Sequence, residues 1–111
     1  MDNTINEIIT EYAIKINRRY NTKAIYLYGS QSKGSATSYS DIDIAIIIDP
    51  TNIEKYMDIL SDLFVIASDV DSRIEPNLLM DDGEDDKYSF LHEIKKTGKL
   101  IHEKGRDIKL K

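Results

Sequence analysis

The chain has 111 residues, enough for one domain around a single core. It is 41% hydrophobic and 32% charged, with a net charge of −5 and a pI near 4.9. That balance disfavours nonspecific nucleic-acid binding through a basic surface, so no direct nucleic-acid partner is expected, and suits a basic partner protein better. The absence of cysteine excludes disulfides and thiolate metal sites and fits a reducing compartment. No apolar run approaches membrane length, and Asp2, Glu7 and Glu11 argue against a secretory leader. The expectation is a single cytoplasmic domain over residues 1–111, with no membrane partner.

In chain order, Asp2 or Asn3 is expected to cap a helix that runs to about Tyr20. Ile5, Ile8, Ile9, Tyr12, Ile16 and Tyr20 recur at helical spacing as its apolar stripe. Arg18, Arg19 and Lys23 gather near its end and read as solvated cations suited to the helix dipole. Ala24–Tyr28 reads as a strand that stops at Gly29-Ser30. The residues from there to Asp41 are too polar for a core. A short helix starting at Ser30 would aim backbone N–H groups into a site, with Lys33 one turn further on to neutralise a phosphate.

A second strand starts at Asp41 and places Ile42, Ile44, Ile46 and Ile48 on one face. Asp41, Asp43, Ala45 and Ile47 share the other, so two carboxylates stand at the head of a buried strand. Charges enter such places only when something compensates them. Asp49-Pro50 ends the strand, and Thr51 or Asn52 caps a helix to about Ile66 with Tyr56, Ile59, Leu60, Leu63 and Phe64 inward. Val70–Leu79 supplies the next strand, parallel to the second, with Asp71, Arg73 and Glu75 on one face.

The acidic run Asp81, Asp82, Glu84, Asp85 and Asp86 lacks the ligand spacing of a calcium loop and reads as a solvated turn. Tyr88 to Lys96 forms a last helix with Phe90, Leu91 and Ile94 inward, stopped by Gly98. Leu100-Ile101-His102 adds a short edge strand, and the tail from about Glu103 is charged and frayed. His92 and His102 read as surface histidines, and the seven tyrosines as core or interface material. The fold class is α/β (α+β): a mixed β-sheet with helices packed on it.

Gly29-Ser30, ten residues, then Asp41-x-Asp43 resembles the signature of the polymerase-β-like nucleotidyltransferase superfamily. Tyr28-Gly29-Ser30-Gln31-Ser32-Lys33-Gly34 and Ser38-Tyr39-Ser40-Asp41-Ile42-Asp43 fit it closely, and the whole length looks like the minimal nucleotidyltransferases (MNT) of bacteria and archaea. The resemblance implies ATP as substrate and Mg²⁺, two ions, held by Asp41 and Asp43, with Gly29, Ser30 and Lys33 at the nucleotide phosphates. It also implies a third carboxylate on the neighbouring strand. Glu75 is the first candidate and Asp71 the reserve, although the family more often has aspartate there. Minimal members are commonly encoded with a HEPN-domain toxin and act as its antitoxin, some by transferring AMP to a toxin tyrosine. The expectation is therefore an Mg²⁺-dependent protein adenylyltransferase in a hetero-oligomer. The alternatives are a non-catalytic antitoxin acting by contact, and nucleotidyl transfer to a small hydroxylated molecule.

Overall fold

The computed structural model describes residues 4–29, 40–84 and 86–105. In chain order these form α1 (Ile5–Arg19), β1 (Ala24–Tyr28), β2 (Ile42–Ile48), α2 (Ile53–Val70), β3 (Ile74–Met80), α3 (Phe90–Thr97) and β4 (Lys99–Glu103). The four strands make one sheet in the order β3-β2-β1-β4. β1 pairs antiparallel with β2 and with β4, and β2 pairs parallel with β3 across the α2 crossover. This is the mixed sheet that the sequence predicts, and β4 is the expected edge strand.

The alternation in β2 decides the layering. Ile42, Ile44, Ile46 and Ile48 are buried against α1 and α2, together with Ile9, Tyr12, Ile16 and Leu63. Burying one such side chain is worth about 1.5–3 kcal/mol, so this face carries most of the stabilisation. Tyr12 takes part without leaving its hydroxyl unpaired, since it donates to Leu63 O at 2.8 Å. Ala45 and Ile47 point the other way, into a smaller cluster with Ala24 and Ile94 under α3. Asp43 shares that second face, so the carboxylate projects on the thinly covered side of the sheet.

Several boundaries differ from expectation. Thr4 caps α1, its hydroxyl accepting from Glu7 N–H at 3.2 Å, whereas Asp2 and Asn3 lie outside the described residues. Asn52 caps α2 as expected, but the helix runs on to Val70 because Ile66 and Ala67 continue its buried face. Phe64 is not inward: it stands 48% exposed, since the buried stripe passes through Leu63 and Ile66. β3 consequently begins at Ile74, and Asp71 is the C-cap of α2. In α3, capped by Ser89, Ile94 is buried while Phe90 is half exposed.

The acidic run is likewise not all solvated. Asp81 is 8% exposed. It accepts from Lys95 Nζ at 2.7 Å and from Gly83 N–H at 2.9 Å, and Lys23 Nζ lies 3.9 Å away. Those partners hold its carboxyl below the ordinary aspartate range, with the Lys95 hydrogen bond the largest influence.

Candidate active site

Three strands bring three side chains into one row. Tyr28 at the end of β1 pairs with Asp43 near the head of β2, and Asp43 pairs with Glu75 near the head of β3. Register partners in adjacent strands place their side chains on the same face, about 5 Å apart. The row lies where β1 ends, because Gly29 turns the chain away at a φ of +72°, a conformation open mainly to glycine. Gly29 also sets how near the acid can come. A Cβ built there would lie 2.4 Å from Asp43 Oδ2, so only a glycine lets the carboxylate rest against the backbone.

Burial pushes the Asp43 carboxyl above the ordinary range, and the negative charge of Asp41 adds to the shift. Among the described residues no salt bridge reaches Asp41, Asp43 or Glu75. Among the described residues, then, nothing offsets the negative charge of these acids at the strand head. Asp41 is exposed and stands one residue before β2, and Glu75 is exposed in β3.

Behind the row a polar clasp crosses the sheet. Asn77, two residues after Glu75 on the same face of β3, donates through Nδ2 to the Tyr28 hydroxyl. The clasp spans β2 at Ala45, the register partner of Asn77, where a small side chain leaves room for it. Phe90 meets the Tyr28 ring edge-on, with centroids 5.6 Å apart and planes at 82°. Burial raises the Tyr28 hydroxyl's pKa, and Asp43 and Glu75 push it the same way against the Asn77 hydrogen bond. Sequence reasoning gave no chemistry to any tyrosine and passed over Asn77. The available signals were the position of Tyr28 directly before Gly29 and the period-two spacing of Asn77 from Glu75.

Of the predicted site residues, Gly29, Asp43 and Glu75 come together, with Asp41 leading into the row. Ser30 and Lys33, and the helix expected to start at Ser30, lie outside the described residues. Asp71 does not join the row. It accepts from the Arg73 backbone N–H at 2.9 Å and from Arg73 Nε and Nη2 at 3.0 Å each. These bonds lower its pKa and commit it to closing the turn between α2 and β3. His92 and His102 are both half-buried rather than on the open surface, and neither belongs to the row.

Among the described residues no three acidic or histidine side chains converge as they stand on a point that would hold an ion. The donor set itself suits a hard divalent cation: carboxylate oxygens only, one of them lying close against the backbone at Gly29, and among the described residues no salt bridge to them. A separate concavity of about 550 Å³, lined by Asp81, Ser89, His92 and Lys95, lies at the other end of the sheet. There Asp81 N–H donates to Ile48 O, at the tail of β2.

The family model for the polymerase beta nucleotidyltransferase domain matches residues 7–107, and the chain belongs to that family. By family and fold it is a nucleotidyltransferase of the MNT type. A nucleotidyltransferase from Sulfolobus solfataricus, so described from its crystal structure, superposes with a TM-score of 0.68 at 16% identity. The match covers 96% of this chain and 87% of that one. A toxin–antitoxin crystallised with AMP-PNP is 25% identical with a TM-score of 0.55, covering 92% of this chain and 76% of the other. No curated protein matches the sequence. Members of this family generally act with a nucleoside triphosphate and a divalent metal. No described helix is long and apolar enough to cross a membrane.

Proposed function

We propose that the chain transfers AMP from ATP to a hydroxyl with Mg²⁺, that the acceptor is a tyrosine of a HEPN-domain toxin, and that it is that toxin's antitoxin. The observation that carries this reading is the pairing of Asp43 with Glu75, with Asp43 set against Gly29 and no salt bridge to either acid among the described residues. Asp41 and Asp43 would hold the metal together with Glu75 from the adjacent strand. When bound, the ion neutralises charge on the triphosphate and on the oxygens around the α-phosphorus. Gly29 lets a phosphate approach the backbone, and Ser30 and Lys33 are proposed as its further contacts.

In the transfer, the acceptor oxygen forms a bond to the α-phosphorus and the bond to the bridging oxygen breaks. Pyrophosphate leaves, and the acceptor's proton passes to the Glu75 carboxylate. The toxin–antitoxin neighbour holding AMP-PNP supports both a triphosphate and a toxin partner. The net charge of −5 supports a basic one. The contact-only antitoxin is the competing reading, and its support is that no three ligands are gathered among the described residues.

The test is the intact mass of the protein encoded beside this one, measured before and after incubation with wild type, ATP and Mg²⁺. The expected result is a covalent adenylyl adduct on a tyrosine that disappears with Asp43→Asn. A partner left unmodified by wild type, yet fully neutralised by Asp43→Asn, makes the chain a binding module.

A further inference from the structure

α2 carries an apolar stripe that the fold leaves uncovered. Its two flanks are fixed by their contacts. Asp62 meets Tyr20 and Arg19 of the α1 segment, and Tyr56 reaches over β3 to donate to Leu78 O at 2.7 Å. Continuing round the helix past Tyr56, away from α1, come Ile53, Met57 and Phe64 at helical spacing, 73%, 51% and 48% exposed. The partly buried Leu60 joins this row to the core. Met80 is 46% exposed at the head of the helix, its sulfur accepting from Thr51 N–H at 3.4 Å. From Ile53 to Phe64 the stripe is about 16 Å long at 1.5 Å per residue.

The strand beside it cannot take another strand. β3 is an edge of the sheet. Arg73 O accepts from Ile42 N–H and Asp81 N–H donates to Ile48 O, so the odd-numbered residues of this segment bond to β2. The even-numbered ones, Ile74, Pro76, Leu78 and Met80, turn their backbone groups to the open side. Pro76 has no N–H to give, and the Leu78 carbonyl is already taken by Tyr56. Strand addition would need both groups. What the flank offers instead is side chains at helical spacing, which is what a second helix reads.

Charge narrows the occupant further. α2 holds Glu54, Asp58, Asp62 and Asp69 against one base, Lys55. Glu54, Asp58 and Asp69 are exposed and lie beyond the stripe on the solvent side, whereas Lys55 lies round toward the α1 flank. A second copy meeting this face about a two-fold axis would set these acids against themselves.

We infer that the β3-side flank of α2, with Ile53, Met57 and Phe64 at its centre, is a docking surface for an amphipathic helix of a partner protein whose apolar face is edged by Lys and Arg. The surface lies on the α1–α2 side of the sheet, opposite the face that carries Asp43. Docking there therefore leaves the carboxylate row open, and the inference does not rest on nucleotidyl transfer.

The experiment uses the full chain and a stapled amphipathic helix of about three turns with Leu along one face and Lys and Arg beside it, followed by fluorescence anisotropy. Saturable binding is expected that weakens with added salt. It should fall about tenfold or more with Phe64→Ser or Met57→Ser, and equally when Glu replaces the probe's Lys and Arg. Both protein variants change exposed residues, so circular dichroism should be that of wild type. The inference is overturned if the basic helix does not bind saturably, or if neither substitution weakens it. It is also overturned if an extended peptide of the same composition binds as well. A concentration-dependent dimer of the chain that Phe64→Ser abolishes would make the occupant a second copy instead.

Discussion

Asp43 works against the fold that holds it. Its carboxyl is pushed up by burial and by Asp41, so the ionised form is the disfavoured one in the folded chain. For a group whose folded pKa lies above its unfolded one, stability falls as pH rises from the ordinary value near 3.9 through the raised one. Asp43→Asn removes that loss. Without ligand at pH 7 its melting temperature should equal or exceed that of wild type, and the gap should close below about pH 4. A clear loss of stability at pH 7 would mean that Asp43 is a structural acid. Glu75 and Asp71 separate at the same scale. Glu75→Gln keeps volume and a hydrogen-bonding oxygen but removes the charge, so transfer to the partner should drop at least a hundredfold while the fold stands. Asp71→Asn weakens the bonds to Arg73 and should cost stability while leaving transfer within a few-fold of wild type. The reverse order of damage moves the third carboxylate to Asp71.

At the scale of elements, period decided what could be read from the sequence. Isoleucines at period two in β2 and at helical spacing in α1 stated both elements and their buried faces, and the parallel β3 followed from the α2 crossover. The end of α2 was not legible, because Ile66, Ala67 and Val70 continue a helix as readily as they begin a strand. That one ambiguity placed Asp71 on the face of Glu75, where it does not lie. Asp81 was hidden for another reason: its partners Lys23 and Lys95 are 58 and 14 residues away, and no local pattern announces them. Losing the charge of Asp81 should therefore be costly. Its folded pKa is depressed, so its contribution is present above the ordinary aspartate range and is lost as pH falls through the depressed value. Asp81→Asn should lower stability by about 1–3 kcal/mol at pH 7 in urea titrations, with the difference shrinking toward pH 3.

Across the whole molecule, the sheet keeps its faces and ends distinct. The large core under α1 and α2 holds the strands, while the thinner α3 side carries half-buried Asp43 beside exposed Glu75 at one end and the Asp81–Lys95 pair, with Asp81 buried, at the other. A partner helix on the outer flank of α2 would occupy neither. The motif spacing gave Gly29, Asp41 and Asp43, whereas the clasp of Tyr28 and Asn77 needed the register of three strands to be seen. The central claim is that this row holds a divalent ion with a nucleoside triphosphate. Isothermal titration of ATP into the chain, with Mg²⁺ and then with EDTA, tests it most directly. Wild type should bind saturably only with Mg²⁺, and Asp41→Asn/Asp43→Asn should bind at least about tenfold more weakly, a loss of about 1.4 kcal/mol or more. Equal affinity with and without the metal, or in the double variant, would contradict it.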